Sequence, residues 1–130
     1  GAAIGGSTRA AGALDPQFWM YCEEMDWCLR MHEAGWEVLA APGVRVIHHE
    51  AQSSRQVRWR AWARLWQSRF RFYTKHRRRY PPGYLAILRI VVRAAVARER
   101  RGVTEQYARG QITGAAAKEA FDALTIVSRL

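Results

Sequence analysis

The chain has 130 residues, of which 49% are apolar and six are tryptophan, so it carries enough material for a core and lacks the composition of a disordered segment. It holds 21 Lys or Arg against 11 Asp or Glu, a net charge of +10. That charge favours an anionic partner such as nucleic acid, a membrane surface or a phosphorylated ligand, and it has no bearing on fold.

Residues 1–19 are rich in Gly and Ala and carry turn signals at Gly5-Gly6 and Asp15-Pro16, which read as loop plus a short element. The opening GAAIGGSTRAAG lacks the basic flank and apolar stretch of a signal peptide, and without an initiating Met it reads as an excised piece. Residues 20–36, MYCEEMDWCLRMHEAGW, hold the densest acidic cluster of this basic chain: Glu23, Glu24 and Asp26. Its neighbours are apolar, with Trp19, Tyr21, Met25 and Trp27 around it. The spacing predicts a helix from Glu23 to Ala34, with Met25, Leu29 and Met31 inward and Gly35 as its stop. Cys22 and Cys28 fall on different faces of such a helix and read as free thiols, and no CxxC motif is present for a cysteine zinc site. WEVLAA, residues 36–41, reads as a strand, Pro42-Gly43 as a turn, and VRVIHH, residues 44–49, as a second strand.

Residues 55–101 are a different material, with 15 Arg or Lys and a single acid, Glu99. Trp59, Trp62, Trp66, Phe70 and Tyr73 follow one another at steps of 3, 4, 4 and 3, a narrow aromatic stripe on a helix. Arg60, Arg64, Arg71 and Lys75 fall opposite. The stripe admits core packing, an interfacial helix on anionic lipid, or a platform that stacks bases. Pro81-Pro82-Gly83 breaks the helix. The apolar segment 84–97 follows as a second helix, too short and too rich in arginine (Arg89, Arg93) for a membrane span. Residues 102–130 are punctuated by Gly102, Gly110 and Gly114, and Ala117, Ala120, Phe121, Leu124 and Val127 give a terminal helix.

The acids admit two readings. Negative charge in a helix's first turn is favourable by roughly 0.3–1 kcal/mol per group. Alternatively, a carboxylate in partly apolar surroundings loses hydration and is tuned toward general-base work. His48 and His49, adjacent on a strand, point to opposite faces, so at most one joins a site with the acids.

ALDPQFWMYCEEMDWCLRMHEAGWEVLAAPGVRVIHHEAQSS, residues 13–54, resembles the C-terminal catalytic segment of family 2 inverting glycosyltransferases, the rhamnosyltransferase-like members above all. An Asp-Pro turn, an aromatic pair, an acidic stretch, a helix ending Ala-Gly-Trp, and a strand ending His-His before a Ser pair occur in the family's order. Ser68, Arg69, Phe72, Lys75 and His76 reproduce a Ser-Arg-x-x-Phe-x-x-Lys-His pattern found in such relatives. The resemblance implies an α/β fold: the C-terminal part of a GT-A (Rossmann-like) domain, with two short strands and a catalytic helix, followed by an α-helical basic tail. The implied boundaries are 1–54 for the catalytic segment, 55–101 for the basic aromatic helices and 102–130 for the terminal helical segment.

It also implies roles. Glu24 inherits the base that deprotonates the acceptor hydroxyl, with Glu where the family has Asp, and Glu23 beside it as a substitute. Asp26 matches a third, structural or orienting acid. Trp19 and Tyr21 match positions on the acceptor side, Ser53 and Ser54 a loop near the donor phosphates, and His48 a residue that helps hold the metal or diphosphate. The implied cofactor is a divalent cation, Mg or Mn, in the complete enzyme. The implied partners are a nucleotide-sugar donor and a glycan or lipid-linked acceptor, met in the cytoplasm at the inner face of an anionic membrane. The Asp-x-Asp motif and the nucleotide-binding units of the family are missing from this sequence, so the segment alone is expected not to turn over. The rival reading is a non-enzymatic basic module for anionic membrane or nucleic acid, resting on residues 55–101. It leaves the acidic cluster and the matched strand pair unexplained, and within the enzyme reading nucleic acid is not an expected partner.

Overall fold

A computed structural model describes residues 11–39, 42, 43, 45 and 58–130. Among them are four α-helices: α1 (Glu23–Glu33), α2 (Arg58–Lys75), α3 (Tyr84–Ala108) and α4 (Gly114–Ser128). A 3-10 turn, Arg77–Arg79, sits between α2 and α3.

Helix α1 ends where its sequence dictates. Gly35 takes φ +84°, the Gly35 N–H donates to the His32 carbonyl and the Trp36 N–H to the Met31 carbonyl, both at 3.0 Å, which closes a Schellman motif. The same pattern ends α3, with Gly110 at φ +67°, Gly110 N–H on Tyr107 and Gln111 N–H on Gln106. The Thr113 side chain caps α4, accepting from the Ala116 N–H at 3.2 Å.

Helices α2, α3 and α4 share the main core. Val92, Val96 and Val103 of α3 meet Ala117, Ala120, Ala123, Leu124 and Val127 of α4, with Ala63 and Phe70 of α2. Four of the five stripe residues pack against this core, Trp59, Trp62, Trp66 and Phe70, in a chain of ring contacts at 6.0 to 6.4 Å between centroids, whereas Tyr73 packs against Phe18, Cys22 and Phe72 instead. Of the three roles the stripe admits, packing is the one these side chains are engaged in. Small residues on α4 let α2 and α3 approach it closely, which is why an Ala-rich helix forms the centre.

A second, smaller cluster joins the N-terminal part to the other side of α2. Phe18, Cys22 and Phe72 are buried, with Tyr21, Leu29 and Tyr73 against them. Helix α2 therefore has two apolar faces, and the side away from the stripe is divided between buried residues and the exposed Arg60, Arg64 and Arg71. Phe72, Ser68 and His76 are buried there.

The expected α/β arrangement, the C-terminal part of a GT-A (Rossmann-like) domain with two short strands, is overturned: the described residues contain no strand and no sheet. Residues 36–39 of the first expected strand are non-helical and form no strand ladder, and Val38 and Leu39 are 52% and 81% exposed. Alternating apolar residues make a strand only when a ladder partner satisfies the backbone, and none is present beside this segment among the described residues. The second expected strand, 44–49, lies outside the described residues apart from Arg45, which is not in a strand. Three finer expectations also change. Met25 is 51% exposed rather than inward, Gly102 lies inside α3 rather than ending an element, and α3 runs eleven residues past Ala97 to Ala108. Among the described residues no helix is long and apolar enough to cross a membrane.

Candidate functional site

The acidic cluster sits at the start of α1, and the chain enters that helix through an uncommon backbone. Tyr21 and Cys22 have φ +69° and +66°, two consecutive non-glycine residues in the left-handed region. Such residues cost roughly 1–2 kcal/mol each, and the surrounding packing has to hold them. Cys22 is buried with Phe18 and Phe72, the half-buried Tyr21 packs beside them, and the Ser68 hydroxyl donates to the Met20 carbonyl at 2.6 Å. This turn presents Glu23 and Glu24 in the first helical turn and directs Asp26 inward.

Asp26 is fully excluded from solvent and gathers three basic side chains. Arg30 Nε donates to Oδ2 at 2.9 Å, Lys75 Nζ to Oδ1 at 2.7 Å, and His76 Nε2 lies 2.8 Å from Oδ1. Burial alone would push the Asp26 carboxyl up, but the hydrogen bonds from Lys75, His76 and Arg30 outweigh it and hold the carboxyl below its ordinary value. Lys75 also donates to Asp15 at 2.7 Å. Burial works against its charge, yet its bonds to Asp15 and Asp26 hold the ammonium above its ordinary value. Arg30 extends the network by donating to the carbonyls of Ala11 and Ala13, and Trp27 Nε1 donates to the Gly12 carbonyl at 2.9 Å. Asp26 is thus the hub that ties the 11–15 loop, α1 and the end of α2 together.

The other acids are placed differently. Glu24 is exposed, and no donor or cation among the described residues engages its carboxylate. Glu23 is half-buried, and its Oε2 is enclosed without a hydrogen-bond partner among the described residues. The apolar enclosure expected around the acids is looser than the sequence implies, because Trp19 and Met25 are 71% and 51% exposed. Trp19 presents one face to Arg64, whose guanidinium carbon lies 4.4 Å from the ring centroid. Both cysteines are free thiols, and burial pushes the Cys22 thiol up, which disfavours its thiolate.

The structure therefore brings Trp19, Tyr21, Glu23, Glu24 and Asp26 into one short stretch. His48, Ser53 and Ser54 lie outside the described residues. The described residues contain no group of three or more His, Cys, Asp or Glu that could hold a metal. Asp26, their most buried acid, has its oxygens taken by cationic partners and is not free to hold the divalent cation implied for the complete enzyme. Two contributors to the site, Lys75 and His76, had only the Ser-Arg-x-x-Phe-x-x-Lys-His spacing to signal them. That spacing places Ser68, Phe72, Lys75 and His76 on the side of α2 facing the acidic segment.

Comparison of the chain with protein-family models, with curated proteins and with solved structures gives no match.

Proposed function

We propose that this chain is a segment of an inverting glycosyltransferase that moves a sugar from a nucleotide-sugar donor to a glycan or lipid-linked acceptor, with Glu24 as general base. The observation that carries the reading is the division of labour among the three acids. Asp26 is committed to Lys75, His76 and Arg30, whereas Glu24 stands exposed two residues away in the same helical turn. A base must be reachable by the hydroxyl it deprotonates, and it must be held in place by something else. Glu24 meets the first requirement and the Asp26 network supplies the second. The meeting of Ser68, Phe72, Lys75 and His76 with residues 18–26 also supports it, since these are the two sequence patterns that resemble the family.

In the proposed step the Glu24 carboxylate takes the proton of an acceptor hydroxyl. That oxygen forms a new bond to the anomeric carbon from the face opposite the leaving group. The bond between the anomeric carbon and the phosphate oxygen breaks, and the nucleoside diphosphate leaves with the electron pair. The exposed ring of Trp19 offers an apolar face against which the acceptor sugar can rest. Glu23, with one oxygen enclosed, is less accessible as a base.

The test is to assay the complete enzyme, in which this segment is joined to its nucleotide-binding units, with nucleotide-sugar donors and to read the anomeric configuration of the product by NMR. Inverted product is expected. Retained configuration, or the absence of sugar transfer to any glycan or lipid-linked acceptor, overturns the proposal.

A further inference from the structure

A groove of about 870 Å³ opens between the Trp19 loop, α2, the start of α3 and the end of α4, and its walls include neither Glu23 nor Glu24. Five arginines line it: Arg64, Arg71, Arg77, Arg89 and Arg129. The acid in its wall, Asp15, is already bonded to Lys75 at 2.7 Å. None of the five arginines is paired with an Asp or Glu side chain among the described residues. Three are nonetheless positioned. Arg64 lies over the Trp19 ring, Arg71 donates to the Gln17 carbonyl, and Arg89 donates to the Leu130 main-chain oxygen at 2.9 Å. The Trp19 ring and the Gln17 carbonyl fix Arg64 and Arg71 without cancelling their charge, whereas in the 130-residue chain the oxygen that holds Arg89 belongs to the terminal carboxylate.

We propose that this groove binds a phosphate-bearing anion, a phosphate ester or diphosphate. Like charges gathered around one cavity repel, and a multiply charged anion relieves that repulsion. Guanidinium forks match phosphate oxygens in pairs, and several of them around one cavity favour a polyvalent phosphate over a single carboxylate. The cavity volume falls within the roughly 300–1,000 Å³ of small-molecule sites. The site is separate from the acid that the glycosyltransferase reading uses, and it stands whether or not that reading holds.

The experiment is calorimetric titration of the 130-residue chain with inorganic pyrophosphate, beside flotation with vesicles of phosphatidylcholine alone or mixed with phosphatidic acid. Saturable pyrophosphate binding is expected, weakened roughly tenfold or more by Arg64→Gln or Arg77→Gln, as the loss of a charged hydrogen bond implies. Arg98→Gln, on an exposed arginine outside the groove, should leave it unchanged, as should Glu24→Gln. Binding to phosphatidic acid vesicles that depends on Arg64 and Arg77, without binding of pyrophosphate, also supports the groove and assigns the phosphate to a lipid headgroup. Binding of neither ligand overturns the proposal. So does binding that Arg98→Gln weakens as much as Arg64→Gln, because that would reflect net charge alone. Arg129→Gln, at a fully separate position in the wall, repeats the test should Arg77→Gln disturb the turn after α2.

Discussion

At the scale of single residues, three neighbouring acids are placed in three different ways. Asp26 is buried and triply paired, so removing its charge strands Lys75, His76 and Arg30 around a neutral group. Asp26→Asn is expected to cost about 3–5 kcal/mol of stability, the range for breaking one partner of a buried ion pair, measurable by urea unfolding at neutral pH. The pH dependence has a definite sign. The folded carboxyl lies below its ordinary value of 3.8, so its contribution is fully present above 3.8 and is lost as pH falls through the lower folded value. The wild-type urea midpoint should therefore drop as pH is lowered below 3.8, and Asp26→Asn should flatten that acid limb. An equally steep limb in the variant would show that other carboxylates carry the acid sensitivity. The cluster itself was legible in the sequence as acids among aromatics. The hub was not, because Lys75 and His76 lie 49 and 50 positions away and no local spacing can announce a contact of that range.

At the scale of elements, the helices were readable because each carries its own signal. The aromatic steps of α2, the spacing of Ala117, Ala120, Leu124 and Val127 in α4, and the Gly35 stop of α1 are all local. Gly35 needs its left-handed φ for the Schellman motif, and a β-carbon there would meet no atom within 4 Å. Gly35→Ala should thus cost only the backbone strain, about 1–2 kcal/mol, seen as a lower unfolding midpoint with an unchanged helical spectrum. Thr113→Ala removes the α4 cap and should cost about 1 kcal/mol by the same measurement. A midpoint unmoved by Thr113→Ala would mean that packing on α2 and α3 alone fixes the start of α4. The strand reading of residues 36–41 failed over its described part, 36–39, for a physical reason. Alternation describes a face, and a strand also requires a neighbour to pair with. Gly102 misled in the opposite way: packing of Val96 and Val103 on α4 outweighs the modest helix penalty of one glycine.

At the scale of the whole molecule, α2 is the shared wall. Its aromatic stripe closes the core with α3 and α4, and its other face clamps the acidic segment through Ser68, Phe72, Lys75 and His76. Leu124, with no exposed surface, sits in that core, and Leu124→Ala should cost about 2–5 kcal/mol. Because α2 joins both clusters, the loss should appear as one cooperative transition, followed by tryptophan fluorescence and circular dichroism together; separate transitions would show that the acidic segment unfolds on its own. The same architecture keeps the catalytic proposal testable, since Glu24 can be changed without touching either cluster. The most direct measurement compares Glu24→Gln with wild type in the complete enzyme, following both sugar transfer and nucleotide-sugar affinity. Loss of a general base should slow transfer by roughly 10²–10⁴-fold while donor affinity is unchanged; transfer at the wild-type rate would contradict the assignment of Glu24 as base.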